Sequence, residues 1–146
     1  MQKNISILGA TGSIGINALT VIRENTDKFN IVTKVDAGDI AFAGDVVVDG
    51  VETININAID LSPVNTTTGV ATIEEASLIV TANLAKTVNV TGSSDVDLTL
   101  TGSTLVTLID ATNLTGALTA TTAVSSSAAT IKGGSGVDVL TATTTN

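Results

Sequence analysis

Val88-Asn89-Val90-Thr91-Gly92-Ser93 is followed, at an offset of ten residues, by Leu98-Thr99-Leu100-Thr101-Gly102-Ser103. Each copy is a short strand-like run with apolar and polar residues in alternation, closed by a Thr-Gly-Ser corner. Leu114-Thr115-Gly116 repeats the ending, and Ile131-Lys132-Gly133-Gly134-Ser135-Gly136 is a looser copy. Short apolar strands that stop at small-residue corners suit a β-solenoid, where each rung hydrogen-bonds to the next. The spacing is uneven, so a β-sandwich or a low-complexity linker stays open on the repeat alone. Working outward, Val51 to Leu61 alternates well. Val51, Thr53, Asn55, Asn57, Ile59 and Leu61 point one way, and Glu52, Ile54, Ile56, Ala58 and Asp60 the other. Asp45-Val46-Val47-Val48-Asp49-Gly50 reads as a short strand and a turn. Glu74 to Val80 reads equally well as a short helix or a strand. The expected class is mainly β: a parallel β-roll or β-helix-like solenoid over residues 37–146.

Composition supports that class and excludes others. The 146 residues contain no Cys, no His, no Tyr, no Trp and two Phe. A disulfide framework, a thiolate zinc site and any His-dependent catalysis are thereby absent. Thr, Val, Ile, Ala, Ser and Gly dominate, which favours strands and turns. The net charge of -8 is unevenly spread. Residues 1–34 hold Lys3, Arg23, Lys28 and Lys34 against Glu24 and Asp27, a balance of +2. The remainder holds Lys86 and Lys132 against twelve acids, a balance of -10. An acidic surface of this kind argues against nucleic acid as a partner. No apolar run reaches about 18 residues, so no transmembrane helix is expected.

Residues 1–36 have a different organisation. Ile5-Ser6-Ile7-Leu8 reads as a buried parallel strand. Gly9, Gly12 and Gly15 follow at G-x-x-G-x-x-G spacing, then Ile14, Ala18, Val21 and Ile22 fall at helical intervals. Phe29-Asn30-Ile31-Val32 reads as a second strand. Strand, glycine loop, helix, strand is the opening of a β-α-β Rossmann-like fragment, where phosphate meets backbone N–H groups at a helix N-terminus. A tight strand-to-helix turn without a ligand is the alternative.

Asn4 to Gly15, with Leu19 to Asn25 and Asp27-Lys28-Phe29, resembles the N-terminus of the 1-deoxy-D-xylulose 5-phosphate reductoisomerase family over about residues 3–33. The resemblance implies an NADPH-dependent, cytoplasmic enzyme of isoprenoid synthesis, with Thr11, Gly12, Ser13 and Ile14 as cofactor contacts. The chain departs from the family after residue 33. Asp36 and Asp39 stand where the ribose 2'-phosphate would come, and carboxylates there repel it. The family's acidic metal-binding cluster and its histidine have no recognisable counterpart, so no catalytic residue is expected in this chain.

Gly133-Gly134-Ser135-Gly136-Val137-Asp138-Val139-Leu140-Thr141 fits the nonapeptide G-G-x-G-x-D-x-U-x in full. It resembles the calcium-binding RTX repeat, and the composition from residue 37 onward resembles bacterial S-layer and RTX-type surface proteins. The resemblance implies an extracellular, self-assembling structural protein that associates through its solenoid ends. It makes Gly133, Gly134, Gly136 and Asp138 candidate calcium-site residues. A glycine corner without metal is the competing reading of the same residues. The leading expectation is therefore a non-enzymatic S-layer or RTX-like solenoid behind an orphaned reductoisomerase-like segment. The alternative is a truncated NADPH-binding part of the reductoisomerase.

Overall fold

The computed structural model describes residues 4–6, 28–35, 38–41, 44–48, 50–62, 72–124 and 129–144. Twelve strands are described: β1 (Asn4–Ser6), β2 (Lys28–Val35), β3 (Ile40–Ala41), β4 (Val46–Val47), β5 (Thr53–Asp60), β6 (Glu75–Thr81), β7 (Thr87–Gly92), β8 (Asp95–Leu100), β9 (Leu108–Leu114), β10 (Leu118–Val124), β11 (Thr130–Lys132) and β12 (Val139–Thr144). One sheet runs β1-β2-β5-β7-β9-β11 and the other β12-β10-β8-β6-β3, with β4 also paired to β6. Every pairing is parallel. The chain alternates between the two sheets as it advances, making a parallel β-solenoid of about 4 turns. The segment 74–80, open between helix and strand in the sequence, is strand β6. The helix expected over residues 14–22 lies outside the described residues.

The core is the space between the sheets. Ile54, Ile56, Ala58, Val88, Val90 and Ile109 fill it from one side, and Ala76, Leu78, Val80, Val96, Leu98 and Leu100 from the other; all are buried. Parallel register stacks like on like, so Ile31, Ile56 and Val90 form one column. Period-two alternation explains which residues enter: Ile54, Ile56 and Ala58 go in, while Thr53, Asn55 and Asn57 stay outside. The ten-residue repeat has a physical meaning that differs from a rung. β7 and β8 lie in opposite sheets of one rung, so Val88 and Leu98 occupy equivalent buried positions on the two walls. The true step from rung to rung is longer, with hydrogen bonds joining residues 20, 22, 25 and 34 apart in sequence.

The Thr-Gly-Ser corners fold as they do because each touches the rung below. Ser103, fully buried, donates its hydroxyl to the Val80 carbonyl at 3.0 Å and accepts the Ala82 N–H at 2.9 Å. Ser94 is likewise buried and donates its hydroxyl to the Glu74 carbonyl. In the first of these corners, Gly92 has φ of 122° and lies so close to the Ala58 backbone that a β-carbon would overlap it. The Ala58 carbonyl in turn accepts the Ser93 N–H at 2.8 Å.

Outside the core, a polar ladder crosses the first sheet. Asn89 donates its side-chain amide to Asn55, and Asn55 to Asn30, each at 2.8 Å. Register continues that row to Asp110 and Lys132, which form an ion pair at 2.8 Å. Hydrogen bonds from Lys132 and Thr112 lower the Asp110 pKa to about 2. Because the folded value is depressed, the stability this contact contributes is present above the ordinary carboxylate value and lost as pH falls toward about 2. Thermal midpoints measured across that acid window should fall less steeply for Asp110→Asn than for the parent chain. A second comparison separates core from corner. Leu98→Ala should cost about 2–5 kcal/mol in urea unfolding. Ser103→Ala, which leaves a buried N–H and a carbonyl unpaired, should cost about 1–3 kcal/mol with little change in packed volume.

Candidate functional site

Two places attract attention from the sequence: the glycine loop of residues 9–15 and the glycine corner of residues 133–138. Thr11, Gly12, Ser13 and Ile14 lie outside the described residues. The strands on either side of them are described. β1 and β2 pair in parallel, with Asn4 opposite Asn30, Ile5 opposite Ile31 and Ser6 opposite Val32. A parallel pair needs a crossover of a dozen residues or more, and residues 7–27 supply it. β2 is simultaneously paired along its whole length to β5, from Lys28 opposite Thr53 to Val35 opposite Asp60. The strand read as part of the first segment is therefore also a rung of the solenoid wall. Beyond β2, Gly38 turns with φ of 92°, and Asp39 accepts the Glu75 N–H at 2.9 Å through its carboxylate.

The second place is fully described. Gly133, Gly134, Gly136 and Asp138 meet at the corner joining β11 to β12. Asp138 accepts the Leu118 N–H at 2.8 Å through its carboxylate. From the opposite side Asp95 accepts the Ala117 N–H at 2.7 Å, so two aspartates hold the start of β10 between them. A β-carbon at Gly136 would come within 2.6 Å of the Ala117 nitrogen, and one at Gly134 would overlap the Leu114 carbonyl. Ser135 completes the corner, its N–H donating to the Leu114 carbonyl at 3.0 Å. The four residues named as calcium candidates therefore come together at one closely stacked corner, with the Asp138 carboxylate bonded to the Leu118 N–H. Among the described residues, no group of three or more His, Cys, Asp or Glu side chains is placed to hold a metal ion.

Asp39, Asp95 and Asp138 thus share a task that the sequence reading missed: each accepts a backbone N–H where a strand of the second sheet begins. A signal for two of them was present, since Asp95-Val96 and Asp138-Val139 both place an aspartate immediately before an apolar strand. Grouping acids has an electrostatic consequence. The Glu75 pKa is raised by partial burial first, then by Asp97, Asp39 and Asp95.

Compared with known proteins, the chain matches the family model described as 1-deoxy-D-xylulose 5-phosphate reductoisomerase over residues 5–144. The chain belongs to that reductoisomerase family. Among curated relatives, the reductoisomerase of Buchnera aphidicola subsp. Acyrthosiphon pisum (strain Tuc7) is 58% identical over 34 residues, 23% of this chain and 8% of the relative. That of Chlorobium phaeobacteroides (strain BS1) is 47% identical over 39 residues, 27% of this chain and 10% of the relative. That of Listeria innocua serovar 6a is 63% identical over 31 residues, 21% of this chain and 8% of the relative. These matches span about a tenth or less of the curated relatives' length. No solved structure matches.

Membership of the reductoisomerase family corrects the leading expectation. A match to an enzyme family across residues 5–144 overturns the reading as an S-layer or RTX-type structural protein. The solenoid itself stands, but its Ser/Thr-rich composition reflects rung geometry and not surface-layer ancestry. The extracellular location and the calcium cofactor rested on that ancestry and lose their support with it. No described helix is long and apolar enough to cross a membrane.

The acidic group gives a measurable sign. A carboxylate whose pKa is raised on folding destabilises the folded state at neutral pH. Glu75→Gln should therefore raise the thermal midpoint at pH 7, and the gain should disappear once pH falls below the ordinary glutamate range.

Proposed function

We propose that this chain is the NADPH-binding part of a 1-deoxy-D-xylulose 5-phosphate reductoisomerase. The observation that carries the reading is the parallel pairing of β1 with β2 on either side of the Gly9–Gly15 connection, in a chain of that family. In this arrangement the loop follows the carboxyl end of β1, where open parallel sheets receive nucleotides. By the resemblance, Thr11, Gly12, Ser13 and Ile14 are the residues that would hold the cofactor, since a glycine loop before a helix offers backbone N–H groups to phosphate. NADPH, when bound, supplies a hydride; the chain's own share is to bind and orient it.

The Asp39 carboxylate, one of two expected to repel the ribose phosphate, is already engaged by the Glu75 N–H. Asp36 remains the residue least suited to a 2'-phosphate. The division of the chain at residue 36 belongs to this reading: residues 1–36 carry the cofactor loop and residues 37–146 the solenoid that holds β2 in place. The same reading makes the protein cytoplasmic, and it assigns no catalytic residue within the chain.

The test is a titration followed by nicotinamide fluorescence, which no Trp or Tyr of this chain disturbs. Saturable enhancement with NADPH is the expected result. Gly12→Glu, which puts a bulky anion in the phosphate path, should weaken binding about tenfold or more, a loss of about 1.4 kcal/mol. Absence of binding by the parent chain, or a Gly12→Glu variant that binds equally well, would overturn the proposal.

A further inference from the structure

The carboxyl edge of the first sheet carries a charge that bears on which dinucleotide it takes. β1 and β2 pair in parallel, so both strands finish at one edge of the sheet. The Gly9–Gly15 connection leaves from β1, and Asp36 follows directly on Val35, the last residue of β2. Adjacent strands lie about 4.7–4.9 Å apart. Continued past Ser6 opposite Val32, the register sets Asp36 level with Ala10, at the start of the glycine loop. Asp36 lies outside the described residues, and chain order and register alone give it this place.

Carboxylates gather at the same edge. Val35 is in register with Asp60 of β5, whose carboxylate accepts the Ser62 N–H at 2.8 Å. Asp39 accepts the Glu75 N–H at 2.9 Å, which ties it to the start of β6 in the other sheet. From residue 29 to residue 62 the only cation is Lys34, against six acids. The chain's one arginine, Arg23, comes before β2 and not after it. A phosphate monoester brings a charge of about -1.5 to -2 at neutral pH, and carboxylates repel it. An arginine is the group that accommodates a ribose 2'-phosphate at this point of a dinucleotide site. An acid about 20 residues beyond the glycine loop instead accepts the free 2'-hydroxyl. Asp36 stands roughly that far beyond Gly15.

We propose that this chain takes NADH more tightly than NADPH, with the Asp36 carboxylate accepting the adenosine ribose 2'-hydroxyl. The proposal rests on the dinucleotide-binding reading above and parts from the cofactor that the family resemblance implies at one group, the 2'-phosphate. Asp36 is the acceptor and not Asp39, because Asp39 is already held by the Glu75 N–H. A 2'-phosphate in the same place meets Asp36 directly, with Asp39 and Asp60 adding their charge from the same corner.

Paired fluorescence titrations of the full chain with NADH and with NADPH test it. NADH should bind about tenfold more tightly or better. Raising the ionic strength should narrow the gap, because salt screens repulsion between exposed charges. Asp36→Ser should weaken NADH, strengthen NADPH and so close the gap. Asp36→Arg should reverse the order, since a guanidinium pairs with phosphate. Circular dichroism of each variant checks that the β-type spectrum is retained. If neither dinucleotide binds the parent chain, the dinucleotide reading of the site falls, and this proposal with it. If both bind and NADPH binds as tightly as NADH or more tightly, this proposal alone is overturned. A preference for NADH that survives Asp36→Ser undiminished overturns it as well.

Discussion

Corner-to-corner hydrogen bonding is the constraint on which this molecule depends. The Ala58 carbonyl accepts from Ser93, the Gly92 carbonyl from Thr115 and the Leu114 carbonyl from Ser135, so one corner column runs through successive rungs. Its companion runs from Glu52 through Lys86 and Thr107 to Thr130. Only small residues let backbones approach so closely, which is why Gly92, Gly116, Gly134 and Gly136 recur there. Once the corners stack, parallel register follows, and with it the columns of Ile, Val and Leu between the sheets. The polar ladder outside is a further consequence, because like residues on successive rungs come to lie side by side.

Aromatic side chains normally dominate the burial of a domain this size. Here aliphatic side chains do the filling, in a space whose width is set by two facing sheets. That width explains a core of Val, Ile, Leu and Ala in repeated columns. It also explains the cost of irregularity. Thr33 and Thr122 stand at inward positions, buried, and their hydroxyls have no hydrogen-bond partner. The described ion pairs, Lys86 with Glu52 and Lys132 with Asp110, both tie one rung to the next at the surface. Their exposure makes them aids to register more than sources of stability.

The relation between the family and the fold turns on β2. This strand is paired to β1 on one side and to β5 on the other, so the start of the chain is fastened to the solenoid by ordinary sheet hydrogen bonds. Under the proposed function the solenoid is a scaffold, and cofactor chemistry belongs to the connection between β1 and β2. Asp39, Asp95 and Asp138 each accept a backbone N–H at the start of a strand. Asp138 serves the solenoid corner in the same way as Asp95, each accepting one N–H at the start of β10.

Much of this was legible in residue order. Alternation over Val51–Leu61 separated the two faces of the strand without saying which is inward, which burial decides, and the Thr-Gly-Ser endings marked true corners. The glycine loop between two apolar runs, together with its resemblance over residues 3–33, pointed to the reductoisomerase family. The nonapeptide pattern described a tight glycine corner, and that corner is what the structure shows at residues 133–138. Sequence carries the corner but not what the aspartate faces. Rung length was hidden as well, because a strand and its counterpart on the opposite wall obey the same inward–outward rule. The ten-residue repeat is that shared rule, and only the pairing of strands in space separates a neighbour above from a neighbour across. Local composition therefore determined the strands, the corners and the family, whereas the register between distant rungs was decided by the stacking of whole turns.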